Sequence, residues 1–404
     1  SQHAAAASSD GRVRFFDTQS WEEVRPELAH ESVVTGIRFA DSNRAITAAE
    51  NGTVRTWTVP SALQAGVDST IWTIALDDSG TSVITASANR CSLWSRNGVS
   101  DLRHERTFQT GGDDLVFSGC GAITASGKFV AFGTRTGKVL YGPAEGNAPL
   151  ITLTCDSTTL IENVAFGHDG NLVAAIESDG YVHVWRVGTN TPSFVARLPV
   201  PLRPIDLAIS SDSALLAVVT ETRELVLFDI ADPDEIHQLS IAQVADSFAM
   251  SVAFHPQRPV VAIGSADRTV SLWDCATPTS PELISRIVGP EGHQIAVSFN
   301  ANGSRLAAAG TNATVSIWDL SDLTQPSLEY RLHAHEGGAY AVALAPDAPV
   351  CLGAGPNQQI DRWLLDPDDA VEVLRNVAGD WITDLEWARY IPATVPNTPP
   401  ERSE

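Results

Sequence analysis

Residues 265–275 read SADRTVSLWDC. A polar turn leads into alternating residues that end on Trp273 and Asp274. The same shape recurs along the chain. It ends on Trp318 in TNATVSIWDL, on Trp363 in NQQIDRWLLD, on Phe228 in TRELVLFDIA and on Trp185 in SDGYVHVWRV. Towards the N-terminus it ends on Tyr141 or Gly142, then on Trp94, Trp57 and Phe16. These anchors recur about every 43 residues, the period of a four-stranded propeller blade.

One unit can be read strand by strand. MSVAFHPQ alternates and ends in a turn, RPVVAIGSAD is a second apolar run, RTVSLWD a third, and PELISRIVG supplies a fourth. Short strands separated by turn residues predict an antiparallel meander. The first strand of each unit is predicted to end on Phe39, Leu76, Phe166, Ile209, Phe254, Phe299 and Leu344. One residue earlier stand Arg38, Ala75, Ala165, Ala208, Ala253, Ser298 and Ala343. Bulk on one face and small residues on the other fit a strand packed on both faces, the innermost strand of a blade. Arg38 is the exception, and snorkelling accounts for it. The turns that follow are rich in Asp, Asn, Gly and Pro. His168 and His255 fall in these turns with no second His or Cys at ligand spacing, so they read as turn residues.

Composition narrows the function. The 404 residues carry a net charge of −23, which disfavours nucleic acid and anionic membrane and makes a basic partner the complementary one. No apolar run has the length of a membrane span and no signal peptide is visible. The cysteines, Cys91, Cys120, Cys155, Cys275 and Cys351, are scattered without CxxC spacing, and they read as reduced, buried thiols of a cytoplasmic protein. The chain starts at Ser1, in mid-repeat, with Met250 as its one methionine. That predicts a piece of something longer.

With these residues in view, the units resemble WD40 repeats, and the resemblance covers about residues 4–375. It implies an all-β fold, a WD40-type β-propeller of four-stranded antiparallel blades. It also implies a buried network of His, Ser or Thr, Asp and Trp in each blade. His30, Thr47, Asn51 and Trp57 fit that pattern with Asn for Asp. His293, Asn312 and Trp318 fit it with Ala308 in the hydroxyl slot. His335, Asn357 and Trp363 fit it with Gly353 there, and Asp267 and Trp273 fit it without the His. The network is architectural in the family.

Blade number follows from counting strands. Eight full units follow a leading piece of HAAAAS, RVRFFD and WEEVRPE, which lacks an inner strand. The tail GDWITDLEWARY can supply it, so nine blades closed by strands from both termini are expected over residues 1–391. Eight blades with a displaced end, or seven plus leftover blades of a neighbouring propeller, are the alternatives. The tail also resembles the segment that closes the WD40 region of large bacterial signalling proteins linked to STAND NTPases or kinases. There it reads as a helix, and Thr383 with Glu386 has capping-box form. Residues 392–404 read as a Pro-rich disordered end.

No GxSxG, HExxH, P-loop, GxGxxG or EF-hand pattern is present. GGDDL at 111–115 reads as an insertion loop, and Asp366, Asp368 and Asp369 as a solvated turn. Trp72 aligns with Thr35, Ile205, Met250, Ile295 and Tyr340 on the large-residue face and is expected in the core. No catalytic, cofactor or metal residue is assigned. The expected function is a non-enzymatic, monomeric scaffold or sensor that binds a protein or peptide, as part of a larger signalling protein. An enzyme working through the central channel and a self-assembling scaffold are the alternatives.

Overall fold

The computed structural model describes residues 3–7, 12–17, 23–29, 33–39, 44–50, 54–58, 70–88, 90–97, 101–109, 117–153, 159–188, 191–200, 203–288, 292–333, 338–346, 349–356 and 360–366. All its regular elements are β-strands. The chain divides into two compact units, residues 66–363 and residues 1–65 with 364–404.

The larger unit holds seven sheets, blades 1 to 7. They span residues 71–108, 117–153, 161–199, 204–243, 249–288, 294–333 and 341–364. Blades 1 to 6 are four-stranded meanders, and blade 7 has three described strands. Inner strands end on Leu76, Phe166, Ile209, Phe254, Phe299 and Leu344, as the sequence pattern predicts. In blade 2 the anchor register falls on Gly142, opposite Val130. The side chain of Leu150 occupies the space a Cβ at Gly142 would need.

Second strands read as unbroken apolar runs because both of their faces are covered. In Leu172–Glu177, the residues Leu172, Ala174 and Ile176 join the cluster shared with blade 4, while Val173 and Ala175 join the one shared with blade 2. In blade 5, Val261 and Ile263 face blade 4, and Val260 and Ala262 face blade 6. The core is therefore a series of apolar layers between neighbouring sheets. Trp185, Trp273 and Trp318 each lie in such a layer.

The expectation of nine blades is corrected to seven. Ala339 N donates to Gly310 O (3.2 Å), linking blade 6 to blade 7. Ile71 N donates to Gly355 O (3.2 Å) at the equivalent place, linking blade 7 to blade 1. Ile71 and Ala354 pack together there. The face of blade 1 that a preceding blade would have to cover is thus taken by blade 7. The expectation of one propeller over 1–391 meets a chain in two units. The smaller unit contains a sheet of His3–Ala7, Arg12–Asp17 and Glu23–Ala29, the three strands expected of the leading piece. A second sheet comprises Val34–Phe39, Arg44–Ala49 and Val54–Thr58. Strand His3–Ala7 lies against Val34–Phe39. The strand or helix expected in GDWITDLEWARY, and the tail 392–404, lie outside the described residues.

Two irregularities repeat from blade to blade. Inner strands shift register after their first residue, between Ile71 and Thr73, Ile161 and Asn163, Pro204 and Asp206, Ala249 and Ser251, and Gln294 and Ala296. Outer strands shift register where they pass the anchor, as between Leu272 and Trp273 or Ile317 and Trp318. Both are β-bulges, which leave one residue unpaired and re-aim its side chain.

Candidate functional site

The inner bulges gather at the end of the propeller where inner strands begin. The residue each bulge leaves out of the ladder is Trp72, Glu162, Ile205, Met250 or Ile295, and Tyr340 holds the equivalent place in blade 7. Trp72 is 49% exposed, against the expectation that it lies in the core. Strict alternation places it inside; the bulge turns it out. It stacks on Tyr340 with ring centroids 5.0 Å apart and planes 25° from parallel. It also meets Gly119, whose φ of 97° and missing Cβ let the indole lie against the backbone. Ile205, Met250 and Ile295 are half-buried, and Phe248 beside Met250 is exposed. Glu162 pairs with Arg203 (2.7 Å). The mouth thus carries an aromatic pair, an apolar arc and the Glu162–Arg203 ion pair.

Just inside this mouth, in blades 1, 3, 4 and 5, the residue after the bulge links blades. Thr73 Oγ1 donates to Gly119 O (3.0 Å). Asn163 Nδ2 donates to Asp206 Oδ1. Val252 N donates to Asp206 Oδ2 (2.8 Å), and Val297 N to Ser251 Oγ (3.2 Å). Burial pushes the Asp206 carboxyl above its usual value, and the hydrogen bonds from Val252, Ser251, Leu207 and Asn163 offset part of that.

The expected network is only partly assembled. Asp267 accepts Thr269 N (2.9 Å), Thr269 Oγ1 (2.6 Å) and Asp246 N (2.9 Å). Burial raises its carboxyl, but these bonds and one from Ser265 outweigh that and hold it below the usual range. Trp273 Nε1 donates to Ser271 Oγ (2.9 Å), within its own strand, rather than towards Asp267. Around the buried Trp318, Asn312 Oδ1 accepts from Thr314 Oγ1 (2.7 Å), while His293 is exposed and contributes its backbone N–H to Thr311 Oγ1 (3.1 Å). Trp363 packs on Gly353. Thr47 is buried, opposite Arg55, and Trp57 lies opposite Ala45 in the ladder. His30, Asn51, His335 and Asn357 lie outside the described residues.

Two polar pairings escaped the sequence pattern. Trp94 Nε1 donates to Thr85 Oγ1 (3.0 Å), a second-strand hydroxyl meeting the anchor. In blade 3, His183 Nε2 lies 2.9 Å from Glu177 Oε2. Glu177 stands where blades 2, 4 and 5 have Thr134, Thr220 and Ser265, whose hydroxyls hold the following turn. A substitution in that slot is the signal that a repeat alignment carries.

Charge is divided between the two ends. The turns between second and third strands carry Arg90, Arg135, Lys138, Arg223 and Arg268 beside Asp179, Glu221, Glu224 and Asp267. The opposite end is acidic, and its carboxylates cap turns. Asp229, Asp274, Asp319 and Asp322 each accept the backbone N–H two residues on. A cleft of about 420 Å³ there, between blades 3 and 4, contains Asp169, Asp212 and Arg186. Both carboxylates in it are spent on Asn171 and on Ser210 and Ala214. His255 accepts Gln257 N and Arg258 N at Nδ1 (3.0 and 3.1 Å), a turn role as expected. Cys91, Cys120, Cys275 and Cys351 are buried and form no disulfide, and burial pushes the Cys275 thiol up to about 12. Among the described residues no group of three or more His, Cys, Asp or Glu is placed to hold a metal.

Four-stranded antiparallel sheets packed face to face in chain order define a β-propeller. Residues 147–186, 241–274 and 283–319 match the family description WD domain, G-beta repeat. The chain therefore carries WD40 repeats. Each match reaches from the outer strand of one blade through the third strand of the next, so the sequence repeat and the sheet are out of step by one strand. No curated protein matches the chain.

Proposed function

We propose that the chain is a non-enzymatic scaffold that binds a protein or peptide at the end where its inner strands begin. The carrying observation is the Trp72–Tyr340 stack, with Trp72 half exposed on a bulged inner strand and backed by Gly119. A large exposed aromatic on a rigid frame supplies contact area at small entropic cost, as binding hot spots do. The WD40 repeats favour the same reading, since such propellers commonly serve as interaction platforms. The test is a random-peptide display selection against the full chain. Selected peptides are expected to compete with one another and to lose about tenfold or more in affinity with Trp72→Ala. Binders indifferent to both Trp72→Ala and Tyr340→Ala count against this surface.

We also read the chain as the sensing part of a larger, cytoplasmic signalling protein and as a monomer. The resemblance of residues 379–392 to closing segments of such proteins supports the first point. The full reading frame of the gene tests it, and a frame without an effector domain removes it. Sedimentation over a concentration series tests the second.

A further inference from the structure

The segment joining blades 4 and 5 is pinned along its length. Val244 N donates to Arg223 O (2.9 Å), Asp246 N to Asp267 Oδ2 (2.9 Å), and Ala266 N to Phe248 O (2.9 Å). Val244–Phe248 therefore bridges the second hairpin of blade 4 and that of blade 5. It holds Phe248, 47% exposed, against the Arg268 turn. Each hairpin puts an arginine in the left-handed region, Arg223 at φ 77° and Arg268 at φ 72°. The turn itself does not call for arginine. Gly137, Gly180 and Ala313 hold the same place in blades 2, 3 and 6, and glycine is the residue that conformation favours.

Both arginines are exposed, and among the described residues neither forms an ion pair. The nearby carboxylates are engaged elsewhere. Asp267 holds its own turn, Asp246 pairs with Arg286 (2.5 Å), Glu224 accepts from Thr222 (2.9 Å), and Glu221 lies 3.9 Å from Arg203. Two exposed arginines whose backbone sits where glycine is favoured, with no ion pair among the described residues and an exposed phenyl ring on the segment that joins their turns, match a carboxylate-bearing ligand with an apolar side chain.

We propose that the bridge between blades 4 and 5 docks an acidic peptide segment of a protein partner. Its carboxylates meet Arg223 and Arg268, and an apolar residue meets Phe248 and Met250. This rests on the interaction reading above and specifies the partner's chemistry. The negative charge of the chain as a whole opposes such a partner at long range. Salt screens that field within about 10 Å at 0.1 M, and inside that range the ligand meets Arg223 and Arg268 beside carboxylates already bonded to Arg286, Arg203 and their own turns.

The experiment uses the full chain and three labelled peptides: a Glu-rich peptide with one central Leu, its Lys-for-Glu counterpart and its Ser-for-Glu counterpart. Fluorescence anisotropy is expected to rank the acidic peptide tightest, with affinity falling as salt rises. The double variant Arg223→Gly, Arg268→Gly is expected to weaken it about tenfold or more. Glycine suits both turns, so that variant folds at least as well as the parent, which a thermal melt checks. Phe248→Ser is expected to weaken the acidic and Ser-for-Glu peptides alike. Equal or tighter binding of the Lys peptide overturns the proposal, as does an affinity for the acidic peptide unchanged by the glycine pair. If display-selected binders still require Trp72 while the acidic peptide does not bind, this inference fails and the interaction reading stands.

Discussion

His183 Nε2 and Glu177 Oε2 lie 2.9 Å apart, and both side chains are essentially inaccessible, at 1% and 0%. Arg197 Nη2 stands 3.9 Å from the same carboxylate and lies over the Tyr181 ring. Removing either side chain leaves the other buried and short of one polar contact. His183→Ala or Glu177→Ala is therefore expected to cost about 3–5 kcal/mol. Blade 4 shows how the site is filled without charge, with Thr220 and Val226 in the equivalent positions. The pair Glu177→Thr, His183→Val should cost far less than the sum of the single alanine changes. Urea denaturation of the variants checks this, and additive losses would show that the two residues act independently.

His255 gives a pH test. Burial first, then the charge of Arg258, lowers its pKa below the ordinary 6.5, while a hydrogen bond with the Gly303 backbone works the other way. The folded state favours the neutral ring. Stability is then full above the ordinary value and falls as pH drops below it towards the lowered native value. Asn300 holds the equivalent position in blade 6, where its Oδ1 ties the turn by accepting Arg305 N (2.9 Å). His255→Asn should keep the turn and flatten the loss of stability between neutral and mildly acid pH. Midpoints of urea denaturation across that range are the measurement, and an unchanged slope would remove His255 from the account.

Gly303 tests the packing on the same ring. At φ 71° it lies so close that a Cβ would overlap the His255 imidazole. Gly303→Ala combines left-handed strain with a clash and is expected to destabilise by about 2–4 kcal/mol. Combined with His255→Asn, the clash is relieved and only the strain remains. A thermal melt in which the second change gives no recovery would contradict the contact.

Asp267 has the opposite acid dependence in origin. Its carboxyl is held low, so its contribution is complete above the ordinary 3.8 and is lost as pH falls from there through the lowered native value. Asp267→Asn should lower stability at neutral pH by about 1 kcal/mol, the scale of a hydrogen bond to the turn. The difference should shrink on acidification below that ordinary value. A constant difference down to strongly acid pH would assign the effect to shape rather than charge.

Most of the blade architecture was legible because it is written in periodicity. The inner strands ending on Phe254 and Phe299, and the anchors Trp273 and Trp318, are local patterns that recur in register. Blade number was not legible. Whether blade 1 meets a preceding sheet or blade 7 depends on which inner strand reaches Ile71, and Gly355 and Tyr340 lie far away in sequence. The mouth was misread at Trp72 for a different reason. A bulge adds one residue without changing composition, so alternation assigns the wrong face to the residue that matters. His183 and Glu177 look unremarkable apart, and only the hairpin register brings them together.

The bulge in the outer strands has a consequence at the rim of each blade. Phe194, Leu283 and Leu328 lie exposed on these edge strands, beside backbone groups that no further strand covers within the blade. A straight, apolar edge of that kind would template another chain's strand and begin a fibre. The break at Trp185, Trp273 and Trp318 inserts an extra residue two pairs from the start of the outer strand. An incoming strand loses register at that point, and ladder growth stops there. Many copies can therefore be crowded side by side without zipping together.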